Sequence, residues 1–365
     1  MPTRLTAGLL LLLSWWGWEC SVRLAPHGAA MKAVVTSESG SLVVEDRPDP
    51  TPAPGQTVLR VASCGICGTD LHLHQAGALP PGAIMGHEFC GEVMESVGSL
   101  KAGERVAALP VLSCGSCERC RSGLGAYCET QRTLGLGDGA GAYAEYVAIS
   151  AHEAVRLPEG IDDDHGSLVE PLAVALHAVN VGRIRRGESC LVIGAGPIGL
   201  GIALWARHFG AAEVIVSERA SGRRAMAERM GATQVIDPTH EELPAALDRI
   251  TSGGPDVVFE AVGVPGLIQE AIQHVRFRGR LVIAGVCAAP DQIVPVQAIL
   301  KEASVFFCLA YEKDDFQYTV DMIDQGRVTP SPMVTDRVGL SGVAKAFEAL
   351  GNPDEQCKVL VDPRT

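Results

Sequence analysis

Three stretches carry side chains whose types and spacing suit metal chemistry. The first is Ser63-Cys-Gly-Ile-Cys-Gly-Thr-Asp-Leu-His72, and the second is Met85-Gly-His-Glu-Phe89. Cys67 offers a thiolate and His87 an imidazole, both strong ligands for zinc. Glu88, next to His87, is placed to ligate or to support a ligand. As a bare spacing the pair would mean little; the flanking patterns, Cys-Gly-Thr-Asp and Gly-His-Glu, make the case. The third stretch runs from Cys114 to Cys128 and holds Cys114, Cys117, Cys120 and Cys128. Four thiolates in one short loop suit a closed tetrahedral site, so a zinc there would be structural. Disulfides are the alternative, but the crowded spacing favours metal.

A different chemistry is written at residues 191–201. Leu191 to Ile193 is a short apolar run that feeds into Gly194, Ala195, Gly196, Pro197, Ile198 and Gly199, and a helix-compatible segment follows. Strand, glycine turn and helix in that order are the fingerprint of a dinucleotide-binding βαβ unit. Gly194 permits the tight turn, Gly196 lets backbone approach a pyrophosphate, and Gly199 lets helix and strand pack closely. The helix N-terminus then presents unpaired N–H groups and a positive dipole end to the phosphates. The next strand-like run ends at Glu218, where the fingerprint expects an acid for the ribose 2′-hydroxyl. That acid favours NAD over NADP, although Arg219, Arg223 and Arg224 nearby are residues that can hold the extra phosphate. A second glycine-rich stretch, Gly135 to Gly141, precedes a β-like segment rather than a helix, so it reads as a flexible loop without a phosphate site.

The elements that must position these groups fall into two kinds. From Met31 the chain reads as short strands with Pro/Gly punctuation: 32–36, 42–45, 57–62, 88–97, 105–108 and 142–149. Val169-Glu170-Pro171 then opens a helix, with Pro171 early in it; the helix dipole would by itself favour an acid at Glu170. From 190 onward strand-like runs at 190–193, 213–217, 234–237, 256–260, 280–285 and 304–309 alternate with helical stretches at 197–210, 221–230, 241–251 and 265–276. That rhythm predicts a doubly wound parallel sheet. Ligands of such sheets sit at the carboxyl ends of the strands, so Val262 and Gly263, and Ala284, Gly285 and Val286, are expected beside the nicotinamide ring. After about residue 310 the chain is expected to return to the first domain, with 358–361 as a closing strand.

Length and composition permit this plan. The chain has 365 residues, enough for two cores, and is 47% apolar and 20% charged, as in ordinary globular proteins. A formal charge of −13 argues against nucleic acid as a partner, and no charge block reads as a membrane patch. Residues 1–30 stand apart: Arg4 precedes an apolar run from Ala7 to Trp18 that is too short to span a bilayer. The run is signal-like without a convincing cleavage site, and the competing reading starts the protein at Met31. Zinc thiolates survive best in a reducing compartment, so the expected location is the cytoplasm.

Taken together, Cys-Gly-Thr-Asp-x-His at 67–72, Gly-His-Glu at 86–88, the four-cysteine lobe and Gly-Ala-Gly-Pro-Ile-Gly at 194–199 resemble the zinc-dependent medium-chain alcohol dehydrogenase family, from Met31 to the C-terminus. The resemblance implies an α/β protein. A β-rich GroES-like catalytic domain (31–174 and 310–365, with the lobe at 114–128) joins a Rossmann NAD-binding domain (175–309). It implies a catalytic zinc on Cys67, His87 and an acid, and a proton relay through Thr69 and His72. Cys64 is then a small core residue, and His74 has no assigned role. Val169-Glu170-Pro171-Leu172 is similar to the polyol and diol branch of the family, where the glutamate ligates the zinc or bonds to its water. How Glu88 and Glu170 share the metal stays open. Arg223 matches a position where NAD-using relatives carry arginine.

The expected activity is NAD-dependent oxidation of a secondary alcohol, diol or polyol, with one catalytic and one structural zinc and a homodimer or homotetramer as the assembly. The alternatives within the family are L-threonine, a sugar at C1 or a primary alcohol; the distant one is a non-catalytic NAD-binding or zinc scaffold.

Overall fold

The computed structural model describes residues 30–352, 354 and 356–365. The signal-like run therefore lies outside the described residues. Among them no helix is long and apolar enough to cross a membrane.

Six strands form one all-parallel sheet: Ser189–Ile193, Glu213–Ser217, Gln234–Ile236, Val257–Glu260, Arg280–Ile283 and Ser304–Phe307. The four central strands, Ser189–Ile193, Glu213–Ser217, Val257–Glu260 and Arg280–Ile283, are buried runs of mostly apolar residues, as strands covered on both faces require. Ser189–Ile193 lies between Glu213–Ser217 and Val257–Glu260. The chain thus winds out one way from this strand and returns to wind out the other, which opens a crevice at the carboxyl ends of the central pair. Helices Val169–Gly182 and Pro197–His208 pack together beneath the sheet. The fully buried Trp205 satisfies its indole N–H on the Leu172 carbonyl at 2.9 Å.

A second sheet of seven strands runs in the order Val334–Val338, Lys358–Val361, Gln56–Gly65, Glu88–Val93, Arg105–Ala108 and Ala154–Arg156, with Tyr146–Ser150 also paired to Gln56–Gly65. All its pairings are antiparallel except that of the two C-terminal strands. The chain does return after residue 310. Helix Lys313–Asp324 packs on Val169–Gly182, and Lys358–Val361 pairs with Gln56–Gly65.

Three sequence expectations change. The strand expected at 142–149 begins only at Tyr146 and runs to Ser150. The strand expected at 88–97 stops at Val93, because Gly98 takes a φ of +57° in a turn that bridges Val97 to Leu100. The loop from Gly135 to Gly141 is a packing element. The Gly141 N–H donates to the Ile84 carbonyl, and a Cβ there would press on the Met85 carbonyl. Its small residues let the chain lie directly against the approach to His87.

Candidate active site

Cys67 and His87 meet because adjacent antiparallel strands deliver them. Gln56–Gly65 ends just before Cys67, Glu88–Val93 begins just after His87, and Gly65 pairs with Glu88. A side chain at Gly65 would collide with the Glu88 carboxylate, so glycine is required where that carboxylate crosses the strand. Ligand atoms of Cys67, His87 and Glu88 lie within 4.8 Å of one another. Cys67 is also the N-cap of helix Gly68–Gln75, whose third residue, Asp70, returns its carboxylate to the Cys67 N–H at 3.0 Å. The helix carries Thr69, half-buried, and one turn later His72, exposed. Residues three apart share a helix face, so Thr69 and His72 lie on the same side of this helix.

Sequence reasoning did not assign Asp70, Lys358, Tyr143 or Tyr311, although Asp70 stands inside the quoted motif. Asp70 is completely buried, and its Oδ1 lies 3.4 Å from His87 Nδ1. Burial pushes this carboxyl up, but His87, the Cys67 N–H and the Tyr143 hydroxyl outweigh burial and hold it below the ordinary range. His87 shows the converse: burial works to lower it, while Asp70 and Cys67 raise it well above the usual imidazole value. Lys358, also completely buried, holds both oxygens of Glu88 at 2.7 and 2.6 Å and donates to the Ile66 carbonyl at 2.9 Å.

Glu170 lies in the first turn of Val169–Gly182 and is buried. It is not one of the three clustered ligand residues, but it is close enough to feel their charge. Burial lifts its carboxyl to about 7, His87 and the Tyr311 hydroxyl pull it down, and Glu88 pushes it up. Among the described residues it has no ion-pair partner. A buried carboxylate in that condition needs either a proton or a cation.

The donor sets fit zinc. A thiolate and an imidazole that meet beside the Glu88 carboxylate, with the Glu170 carboxylate near enough to feel their charge, suit a three-ligand site with an open position. In the lobe, the Cys114–Cys120, Cys117–Cys120 and Cys117–Cys128 sulfurs are 3.8, 3.5 and 3.9 Å apart. Tetrahedral bonds of about 2.3 Å give sulfur separations of roughly 3.8 Å. All four cysteines are free thiols. N–H groups of Ser116 and Cys117 bring Cys114 down to about 5, whereas burial and Cys117 push Cys120 up to about 12.

At the crevice Gly194 has φ +94°, and a Cβ on Gly199 would strike the Gly194 carbonyl. Gly196 differs, since a Cβ there would meet nothing within 4 Å. Packing within the chain gives no reason for glycine at that position. Pro197 and Ile198 begin the helix that follows. The Glu218 carboxylate accepts the Ala195 N–H and the Ala220 N–H, both at 2.8 Å, and so faces the glycine turn. Arg224 is committed to Asp237 at 2.9 Å, Arg219 is exposed, and Arg223 keeps a buried Nε without a partner. On the other side of the crevice the Glu260 carboxylate accepts the N–H groups of Val262 and Gly263 at 2.7 and 2.8 Å, and its carbonyl accepts those of Ala284 and Gly285. One residue thereby fixes both loops, with Val286 exposed at the rim.

Comparison with known proteins agrees with this geometry. The Zinc-binding dehydrogenase family profile matches residues 197–325, and the Alcohol dehydrogenase GroES-like domain profile matches 53–159. The chain is 32% identical to (R,R)-butanediol dehydrogenase of Bacillus subtilis, over 91% of this chain and all of that one. A zinc-binding dehydrogenase from Sinorhizobium meliloti 1021 bound to NADP superposes with a TM-score of 0.82 at 32% identity, covering 92% of this chain and 100% of the other. An alcohol dehydrogenase from Escherichia coli CFT073 in complex with NADH gives 0.85 at 29% identity, with the same coverage. The chain is an oxidoreductase and belongs to the zinc-dependent medium-chain alcohol dehydrogenase family.

Proposed function

We propose that this enzyme oxidises a secondary alcohol, vicinal diol or polyol to the corresponding carbonyl compound, with NAD as hydride acceptor and two zinc ions per chain. The convergence of Cys67 and His87 at the end of their strands, beside the buried and unpaired Glu170, carries the reading. A zinc held there would lower the pKa of a bound alcohol, and a bound NAD would supply the hydride acceptor. Cys67 and His87 hold the metal, and Glu170 supplies the acid, because both oxygens of Glu88 are already engaged by Lys358. Thr69 would accept the alcohol proton while handing its own onward, through the cofactor ribose, to His72, which would release it to solvent. Gly196 leaves room for the pyrophosphate, and the loops braced by Glu260 receive the nicotinamide. NAD is favoured over NADP because Glu218 faces the turn as an acid, where a 2′-phosphate would be repelled, and Arg224 is spent on Asp237.

The catalytic domain comprises 31–174 and 310–365, the cofactor domain 175–309, and the enzyme works in the cytoplasm as a homodimer or homotetramer. Butanediol dehydrogenase at 32% identity supports a diol substrate.

The test is NADH formation against 2,3-butanediol, sorbitol, xylitol, glucose, L-threonine, 2-propanol and ethanol, with NAD⁺ and NADP⁺, before and after metal removal. Turnover of diols or polyols with NAD⁺, lost with the metal, is the expected result. Preference for L-threonine or a primary alcohol would move the substrate class, and a lower KM for NADP⁺ would overturn the cofactor assignment.

A further inference from the structure

We propose that Tyr143 is a positioning residue for the metal centre, acting through Asp70 on the ring of His87. The inference rests on the reading above that Cys67 and His87 hold a metal.

Tyr143 is fully buried and its backbone is anchored beside the site: its N–H donates to the Met85 carbonyl at 2.9 Å, and its carbonyl accepts the Val34 N–H at 2.8 Å. The ring stands edge-on to Phe347, with centroids 6.2 Å apart. Its hydroxyl donates to Asp70 Oδ2 at 2.7 Å. Burial and the charge of Asp70 push the phenol well above its ordinary value, so it remains a donor. Asp70 Oδ2 thus receives two hydrogen bonds, from Tyr143 and from the Cys67 N–H. With that oxygen pinned, Oδ1 must face His87 Nδ1. Those two atoms are 3.4 Å apart, a charge contact outside hydrogen-bond geometry, and neither has a hydrogen-bond partner among the described residues.

The terminal torsion of an aspartate is soft, so one backbone N–H alone would hold the carboxylate loosely. A ligating histidine needs an acceptor for its second ring N–H, because that bond selects the tautomer and fixes the ring plane. Tyr143 determines how firmly this acceptor is held. A merely structural tyrosine would fill the same space without needing its oxygen.

The experiment compares the wild-type holoenzyme with Tyr143→Phe, which keeps the ring and removes one oxygen. Zinc per chain, the rate of zinc loss to a chelator, and the visible absorption of cobalt exchanged into the Cys67/His87 site are measured together. We expect Y143F to keep its lobe metal and lose the other about tenfold faster, in the range seen for groups that support metal ligands, with a shifted cobalt band. In an Asp70→Asn background the same change should add little, since the two residues act in series. Unchanged zinc loss and an unchanged cobalt spectrum in Y143F would overturn the proposal, whatever happens to its melting temperature. A wild-type protein that binds zinc only in the lobe would instead overturn the metal reading beneath it.

Discussion

Glu170 is where local chemistry can be read from stability. With no metal bound, burial raises its carboxyl from 4.5 to about 7, so the folded protein holds that proton more tightly than the unfolded chain does. The sign follows: the associated stability is complete below about pH 4.5 and is lost as pH rises through about 7, up to roughly 3 kcal/mol. Chemical denaturation of the metal-free protein between pH 5 and 8 should therefore show a loss that Glu170→Gln lacks. Parallel curves for the two proteins would mean that the carboxyl is not held neutral. At this scale a contiguous motif brings candidate residues together in the sequence, though it did not single out Asp70. Cys67, Thr69 and His72 lie within six residues, and the Asp70 cap obeys a local pattern. Tyr143 was not legible, because its partner is 73 residues away and a tyrosine in a β-like run ordinarily means core.

The element that joins the two sites is the C-terminal strand. Its first residue, Lys358, grips Glu88, while the Gln356 carbonyl lies 3.4 Å from Arg223 on the helix that follows Glu218. One short segment thus touches both the metal side and the cofactor side. The sequence marked 358–361 as a closing strand from its apolar run. It could not reveal that the lysine opening the run is completely buried, since the carboxylate that neutralises it comes from a strand 270 residues earlier. Removing one partner of such a pair leaves an unpaired buried charge, at a cost of about 3–5 kcal/mol. Lys358→Met should lower the free energy of unfolding by that amount, and adding Glu88→Leu should restore much of it. Additive losses in the double variant would mean that the two side chains do not act as a pair.

The whole molecule leaves one edge open. Ser304–Phe307 is the outermost strand of the six-stranded sheet, and among the described residues its outer side pairs with no strand. Free edges are usually blunted by charge or proline, yet Ser304-Val-Phe-Phe307 has neither. Around it Phe307 is 76% exposed, Leu300 74%, Leu309 68% and Ile299 68%. So many large apolar side chains at one edge are what a subunit contact would bury. The rhythm of strands and helices identified this strand but not its position, because sheet order is fixed by crossovers that local sequence does not record. A second copy related by a two-fold axis would place the same strand antiparallel to this one, continue the sheet and cover the apolar rim. Phe307→Lys should therefore shift the protein to monomers in analytical ultracentrifugation while the far-ultraviolet spectrum stays as it was. Because Leu309, two residues on, accepts a hydrogen bond from Tyr127 of the cysteine lobe at 2.6 Å, the released edge should also loosen the lobe and speed its zinc loss. A dimer that survives this charge would place the subunit contact elsewhere on the molecule.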